Sequence, residues 1–211
     1  MINRDSLLLY AVTDRAWLKT GETLADAVRA ALEGGVTLVQ LREKNADRDS
    51  FIRSALEIKE ICHAFQVPLI INDSIDVCLA ADADGVHLGQ GDTPIDEARI
   101  RLGDNKIIGI TARTPEQAIA AEKGGADYLG SGAIFGTFTK NDAKKMEPET
   151  LRTITSSVHI PVAAIGGIKA SNVDQLAGLG ISGAAVVSGI FAQPDICAAA
   201  QELKQKLQKL V

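Results

Sequence analysis

Short apolar runs rich in β-branched residues alternate with segments of helical periodicity along the whole chain, and no other feature restricts the fold as strongly. The runs lie at residues 7–13, 36–41, 68–71, 85–88, 106–110, 127–130, 161–165 and 183–187. Between them, segments such as 24–31, 51–61 and 173–179 place apolar residues three and four positions apart, which is typical of helices that pack one face onto a sheet. Eight strands alternating with helices predict an α/β fold, a single (β/α)8 TIM barrel.

Local signals agree with this prediction. Four residues are placed to cap helix N-termini, namely Thr23, Ser50, Thr114 and Ser171. A weak internal repeat relates residues 35–40 to residues 85–90, with looser echoes at 125–126 and 183–184, and each copy precedes an even-numbered strand. An open doubly wound sheet would show the same alternation, but residues 12–15 after the first strand lack the glycine-rich turn that often opens such a sheet.

Composition and charge bound the class of protein. The 211 residues suffice for one sizeable core, so we expect one catalytic domain over 1–211. No apolar run reaches the roughly 18 residues of a membrane span, and the N-terminus lacks a secretory pattern, which predicts a soluble, cytoplasmic protein. The net charge of −5 argues against a broad surface for nucleic acid or for an anionic membrane. We therefore expect small-molecule ligands, and a homo-oligomer stays open.

The three cysteines are Cys62, Cys78 and Cys197, and they lie in helix-like segments without CxxC spacing. That spacing suggests neither a disulfide framework nor a zinc site, so we interpret them as buried thiols.

Cationic side chains follow the second predicted strand, at the end of the barrel where enzymes of this fold build their active sites. Gln40, Arg42 and Lys44 come at that point. A planar guanidinium and a mobile ammonium together suit a diphosphate. An exposed charged loop with an incidental ion pair explains the same residues equally well.

Two aspartates follow the next two strands, Asp73 after the third and Asp92 after the fourth. Mg²⁺ commonly takes one or two protein carboxylates and completes its shell with water and phosphate oxygens, so this pair could hold it. Either aspartate taken alone is better explained as a cap of the helix that follows it, near Ser74 and near Pro94. His87, inside the fourth strand, is interpreted as a packed barrel residue.

Further polar groups and bare backbone follow the later strands. Thr111 brings a hydroxyl to the end of the fifth strand, and residues 135–147 form a long polar connection that is a candidate lid. The seventh and eighth strands run into Gly167 and Ser188, where exposed N–H groups and a following helix terminus suit a phosphate. Tight turns without a ligand are the alternative. Two anion-binding regions on one rim imply two phosphorylated ligands.

In chain order, these segments resemble the thiamine phosphate synthase family over nearly the whole chain. The segments are LYAVTD at 9–14, QLREK at 40–44, ND at 72–73, GVHLGQGD at 85–92, GADY at 125–128, TFTK at 137–140 and AIGGI at 164–168. The resemblance implies a transferase that joins 4-amino-2-methyl-5-hydroxymethylpyrimidine diphosphate to 4-methyl-5-(2-phosphoethyl)thiazole, or to its carboxylated form. The products would be thiamine phosphate and diphosphate, formed when the thiazole nitrogen captures a pyrimidine methylene cation.

The resemblance also implies roles for individual residues. Contacts to the pyrimidine diphosphate would come from Gln40, Leu41, Arg42, Glu43, Lys44, Asn72, Thr111 and Lys140. Contacts to the thiazole phosphate would come from Thr137, Phe138, Thr139, Gly167, Val187 and Ser188. Asp73 and Asp92 would hold one Mg²⁺ per active site. Catalysis would fall to Arg42, Lys44, Lys140 and Thr111, because charge grows on the departing diphosphate.

Three positions depart from the family pattern: Thr111 stands where serine is usual, Ala133 precedes the lid, and Gly136 stands where proline is usual.

Two other functions fit parts of the pattern. A thiazole tautomerase of the same superfamily needs neither diphosphate nor metal, and it typically lacks the Gln90-Gly91-Asp92 element that is present here. A non-catalytic sensor of a phosphorylated ligand would need only the site after strands seven and eight.

Overall fold

A computed structural model describes residues 2–136 and 145–211, in which eight parallel strands close into a barrel. The strands are β1 Leu9–Val12, β2 Leu38–Leu41, β3 Leu69–Asn72, β4 Gly85–Leu88, β5 Ile107–Thr111, β6 Tyr128–Gly132, β7 Val162–Ile165 and β8 Gly183–Val186. Each strand pairs with its neighbours in the sequence, and β8 pairs with β1 to close the sheet. The predicted (β/α)8 barrel is confirmed.

Helices fill most of the connections. The helices of the described residues are α1 Leu24–Glu33, α2 Arg48–Ala64, α3 Ile75–Ala80, α4 Ile95–Leu102, α5 Pro115–Lys123, α6 Pro148–Ser157, α7 Ser188–Phe191 and α8 Ile196–Leu207. None of these helices is long and apolar enough to cross a membrane.

Helix starts follow the predicted caps at two of four positions. The Thr23 side chain accepts from the amide of the third residue of α1, and Thr114 does the same at α5. The start of α2 differs: Asp47 is the cap, and Ser50 lies inside the helix and donates its amide to that carboxylate at 2.9 Å. An aspartate three residues upstream competes for the same free amides, so Ser50 is not needed as a cap.

The helix predicted over 173–179 is not formed, and Ser171 is not its cap. A short 3₁₀ turn covers Val173–Leu176, begins after Asn172 and has no side-chain cap. Ala177 is extended, and Gly178 and Gly180 have φ of 72° and 74°. Left-handed backbone at two nearby glycines ends the turn. Three apolar residues of the predicted helix, Val173, Leu176 and Leu179, are nevertheless buried, whereas Ala177 is exposed.

The barrel divides the core into two apolar clusters. The larger cluster lies between the strands and the surrounding helices. The smaller one fills the barrel interior and includes Tyr10, Val12, Leu38, Ile70, Ile107, Tyr128, Ala163 and Ala185. The strands are therefore buried on both faces. This explains why they appear in the sequence as continuous apolar runs and not as alternating apolar and polar residues.

Three residues that precede even-numbered strands have the same role at the N-terminal end of the barrel, but they do not occupy matching positions of the predicted repeat. The residue just before an even-numbered strand accepts, through its side chain, an amide near the start of the preceding odd-numbered strand. The acceptor and donor pairs are Thr37 with Leu9 at 2.9 Å, Asp84 with Leu69 at 2.8 Å and Asp127 with Ile108 at 2.8 Å. These contacts satisfy strand amides that the barrel ladder leaves without a partner.

Burial of the cysteines is confirmed for two of the three. Cys62 and Cys78 are buried, and Cys197 is half-buried. Burial raises the pKa of the Cys62 thiol to about 12 and that of Cys78 to about 11. These two thiols are therefore protonated and unreactive at neutral pH.

Candidate active site

A cavity opens at the carboxyl ends of the strands, and its wall contains residues from the ends of all eight. Seven of the residues that the sequence singled out line it: Gln40, Arg42, Asn72, Thr111, Gly167, Val187 and Ser188. The strand ends are distant in sequence, and the closed barrel brings them to one opening. The two predicted ligand regions therefore face each other across one cavity.

The two aspartates lie beside this cavity, and neither caps the helix that follows it. Ser74 caps α3 with its own hydroxyl, and the start of α4 has no side-chain cap. Asp73 has a φ of 64°, a conformation that is uncommon for residues other than glycine. Asp92 accepts the amide of Gly89 at 2.6 Å within its own loop. The interpretation of these aspartates as helix caps is wrong, which removes the main alternative to a metal-binding role.

The Asp73 carboxylate lies close enough to that of Asp92 to interact with it directly, and this interaction is one cause of the raised pKa of Asp92. The pKa of Asp92 is raised, first by burial and then by the negative charge of Asp73. The hydrogen bond from the Gly89 amide and the charge of Lys44 lower it, but by less. Two carboxylates in contact need either a shared proton or a cation, so this pair fits a hard divalent ion with oxygen ligands. No cluster of three or more histidine, cysteine, aspartate or glutamate side chains that could hold a metal occurs among residues 2–136 and 145–211.

The cations of the second loop are held by ion pairs. The ammonium of Lys44 contacts Asp73 at 2.9 Å, and Asn72 lies in the wall of both the cavity and a second pocket beside Lys44. Arg42 is 3.4 Å from Asp14, and both side chains are mostly buried. The backbone amide of Arg42 donates to the Thr13 hydroxyl at 3.0 Å. The end of β1 therefore positions the guanidinium at the cavity wall.

Two neighbours of these cations have other roles. Glu43 forms an ion pair with Arg15 at 2.7 Å, which joins the first two loops at the barrel mouth. The Leu41 side chain is completely buried in the cluster between strands and helices. The Leu41 side chain is therefore not available to a ligand.

The glycines after β7 and β8 are required by close packing. Gly166 and Gly167 have φ of 103° and 67°, and side chains there would overlap with Ala133 and with the carbonyl oxygen of Gly136. A side chain at Gly189 would overlap with the carbonyl oxygen of Ile168. The helix terminus expected after β7 is absent because only the 3₁₀ turn follows it. A phosphate on this side would therefore rely on backbone amides and on the Ser188 hydroxyl.

The predicted lid falls largely outside the described residues. Thr137, Phe138, Thr139 and Lys140 all lie in the segment 137–144, beyond what the structure describes. Gly136, just before it, has a φ of 74°. Proline fixes φ near −65°, so it could not take this conformation, and the departure from the family pattern at this position has a backbone reason.

A chain of hydrogen bonds inside the cavity was missed by sequence reasoning. The amide nitrogen of Gln40 donates to the Tyr10 hydroxyl, which lies 2.7 Å from the Tyr128 hydroxyl. His87 contacts Tyr128 through Nδ1 and Thr111 through Nε2, both at 3.0 Å. His87 packs inside the barrel against the Tyr128 ring, as expected, but it also lines the cavity and links two polar groups, which the sequence did not predict.

Counting by twos back from the strand ends would have found these residues. Side chains two apart on a strand point to the same side, so Thr111 shares the barrel interior with Gly109, and Gln40 with Leu38. The same parity identifies His87 and Tyr128 as interior positions. Arg113, two residues after β5, also lines the cavity and could have been found in this way.

Comparisons with known proteins agree on one family. A family model described as thiamine monophosphate synthase matches residues 9–190. "Thiamine-phosphate synthase 2" of Streptococcus pneumoniae is 48% identical over 210 residues, which is 100% of each chain. A thiamine-phosphate synthase of Ruminiclostridium cellulolyticum is 51% identical over 195 residues, 92% of each chain. A solved thiamine phosphate pyrophosphorylase from Pyrococcus furiosus superposes with a TM-score of 0.91 at 38% identity and covers 99% of this chain and 98% of its own.

Proposed function

Since the chain belongs to the thiamine monophosphate synthase family and is a transferase of thiamine biosynthesis, we propose how its barrel mouth carries out the reaction. The substrates are 4-amino-2-methyl-5-hydroxymethylpyrimidine diphosphate and 4-methyl-5-(2-phosphoethyl)thiazole, with the carboxylated thiazole phosphate as a possible variant of the second. Diphosphate leaves first, and the thiazole nitrogen then bonds to the pyrimidine methylene carbon. The products are thiamine phosphate and diphosphate.

Cations of the second loop bind the leaving group. Arg42 lies in the cavity wall and Lys44 beside it, so both can neutralise charge that grows on the diphosphate as the C–O bond breaks. Lys140 is proposed as a third cation on the family resemblance alone. Asp73 and Asp92 would hold one Mg²⁺, which would supply further positive charge against the departing diphosphate.

The interior wall binds the pyrimidine. Gln40, Asn72 and Thr111 give this part of the cavity neutral polar groups that can bond a ring nitrogen and an amino group. The electron-rich ring stabilises the methylene cation, so no side chain has to attack it. Positioning of the two rings supplies the remaining acceleration.

The opposite wall binds the thiazole phosphate. Gly167, Val187 and Ser188 line the cavity there, with backbone amides and one hydroxyl available to phosphate oxygens. Thr137, Phe138 and Thr139 complete this subsite in the proposal on the strength of the family resemblance. Exclusion of water around the two rings would protect the cation from hydrolysis.

One observation carries the proposal. Two carboxylates in direct contact lie beside Lys44 and Asn72, next to a cavity that the thiazole-side residues also line. A binder of one phosphorylated ligand has no need of this acidic pair. A thiazole tautomerase has no need of it either, and the comparisons do not favour that function.

The direct test incubates the purified chain with both substrates and Mg²⁺. We expect stoichiometric release of diphosphate and thiamine phosphate, with none when either substrate is omitted and a large loss when the metal is chelated. Isomerisation of the thiazole without diphosphate release would contradict the proposal, as would binding of both ligands without turnover. The cytoplasmic location and a homo-oligomer stay predictions.

A further inference from the structure

The hydrogen-bonded chain inside the barrel joins five residues on five different strands. It runs from Gln40 on β2 through Tyr10 on β1, Tyr128 on β6 and His87 on β4 to Thr111 on β5. Tyr10 is 1% exposed and Tyr128 is completely buried. Water therefore does not compete for the two phenols, and the chain must satisfy their hydrogen bonds itself.

The number of protons fixes the direction of this chain. Burial raises the pKa of both tyrosines, so each phenol keeps its single proton. The amide nitrogen of Gln40 can only donate, and it uses the hydroxyl oxygen of Tyr10 as acceptor. The Gln40 hydrogen occupies the link to Tyr10, so the Tyr10 hydrogen points elsewhere, and the Tyr128 oxygen at 2.7 Å is the acceptor that this chain offers it. By the same rule Tyr128 donates to His87.

The last link follows from the histidine ring. If Nδ1 of His87 accepts from Tyr128, the neutral ring carries its proton on Nε2, which donates to Thr111 Oγ1 at 3.0 Å. The Thr111 oxygen is then an acceptor within the chain. Its own hydrogen is available to the cavity that Thr111 lines.

Two glycines make room for the rings of this chain. A side chain at Gly109 would overlap with the Tyr128 ring and its hydroxyl, and one at Gly130 would lie 3.0 Å from Cε1 of His87. Neither glycine has the positive φ that would otherwise call for it. The bare backbone of β5 and β6 is therefore explained by the space that Tyr128 and His87 need.

We propose that Tyr10, Tyr128 and His87 are positioning residues that hold His87 as its Nε2–H tautomer and thereby make Thr111 a hydrogen-bond donor to the ligand. Thr111 then selects a ligand with a lone pair at that point, such as an unprotonated pyrimidine ring nitrogen. A lactam ring, which presents N–H there, is disfavoured. This selectivity rests on the proposed function, whereas the tautomer does not depend on it.

The tautomer can be read without any activity. Long-range ¹H–¹⁵N correlation spectra of the full chain, labelled at histidine, separate the two neutral tautomers of each ring. The chain has three histidines, and exposed His159 provides a reference in the same spectrum, while His87→Gln identifies the His87 signals. We expect His87 of the wild-type chain, without ligands, as Nε2–H at neutral pH. A proton on Nδ1, alone or together with Nε2, would overturn the proposal.

A double-mutant cycle tests whether Tyr128 acts through Thr111. Tyr128→Phe and Thr111→Val should each weaken binding of the pyrimidine diphosphate about tenfold, mostly in KM, because each interrupts the relay and costs the ligand the hydrogen bond from an oriented Thr111 hydroxyl. The double variant should be no weaker than Thr111→Val alone. Multiplied effects, about 100-fold, would mean independent structural roles and would overturn the relay.

Thr153→Val is the matched control for the cycle, because Thr153 is exposed on α6 and donates only to its own helix. Its effect should be small and should multiply with that of Tyr128→Phe. If the wild-type chain gives the expected histidine spectrum but no thiamine phosphate, the proposed function fails while the relay stands.

Discussion

Carboxylates at the two ends of the barrel have opposite surroundings. At the N-terminal end, Asp127 accepts from Arg99 and from the Ile108 amide, both at 2.8 Å. At the C-terminal end, Asp73 and Asp92 contact each other, and the pKa of Asp92 is raised by its burial and by the charge of its neighbour. The first arrangement is satisfied without any ligand. In the second, Lys44 pairs with Asp73 and the Gly89 amide with Asp92, but the two carboxylates also repel each other, and a further cation would relieve that repulsion.

The difference shows how one fold separates stability from chemistry. Carboxylates at the N-terminal end of the barrel, such as Asp127, accept hydrogen bonds from backbone amides and from cationic side chains of the chain itself. The acids at the mouth are brought together by strand ends that are distant in the sequence, at the cost of mutual repulsion and, at Asp73, of a left-handed backbone. Such unfavourable local arrangements are typical of functional sites.

The largest effect is expected when a carboxylate is removed from the C-terminal end of the barrel. Asp92→Ala should lower turnover about 100- to 1,000-fold, because charge on the leaving group loses its counterion. The free energy of unfolding should change by less than about 1 kcal/mol, since repulsion with Asp73 is lost as well. Steady-state kinetics and urea unfolding measure the two effects, with exposed Asp104→Ala as control. Normal turnover would refute the metal-binding role.

The reverse result is expected at the other end. Asp127→Ala should reduce the free energy of unfolding by about 2–4 kcal/mol, because the Ile108 amide loses its acceptor and the partly buried Arg99 its counterion. Values of kcat measured well below the melting temperature should stay near those of the wild type. A large loss of kcat in a folded variant would mean that the two ends are not separate.

A smaller effect is expected with pH. Hydrogen bonds from Lys106 and then Lys59 lower the pKa of Asp82 from 3.8 to about 2. A lowered pKa in the folded state stabilises the protein above the ordinary value, and this contribution is lost as the pH falls from 3.8 toward 2. The effect is modest because Asp82 is highly exposed.

Asp82→Asn should therefore flatten the loss of stability with acid in that range, and Asp104→Asn should not. Thermal unfolding at several pH values measures the slope. An identical acid dependence in the wild type and in Asp82→Asn would show that the two lysines contribute nothing through this carboxylate.

The sequence predicted the strands well because they are buried on both faces and separated by helical periodicity. It failed over 173–179, where the apolar spacing fits a helix but Gly178 and Gly180 adopt positive φ. The spacing of apolar residues indicates which side chains are buried, but it does not determine the backbone conformation that buries them. The same limit applies to Ser50, because an upstream aspartate took the cap.

For the candidate site, the strand ends were predicted from the sequence and the interior residues were not, although the parity of each strand identifies them once its cavity-facing end residue is known. Arg42, Asp73 and Asp92 follow strands directly, so their position at the mouth depends only on the barrel. Tyr10 and Tyr128 sit inside apolar runs, where no alternation marks the face that looks into the cavity. Only the closed barrel brings these two hydroxyls to 2.7 Å across a sequence separation of 118 residues.

The most direct test of the central claim is the position of a divalent ion in crystals of the chain. Mn²⁺ takes the same oxygen ligands as Mg²⁺ and gives an anomalous signal, so crystals can be grown with it and with the pyrimidine diphosphate. We predict one strong peak bound by both Asp73 and Asp92 and by diphosphate oxygens. A peak bound elsewhere, or diphosphate bound with neither carboxylate near a metal, would contradict the account.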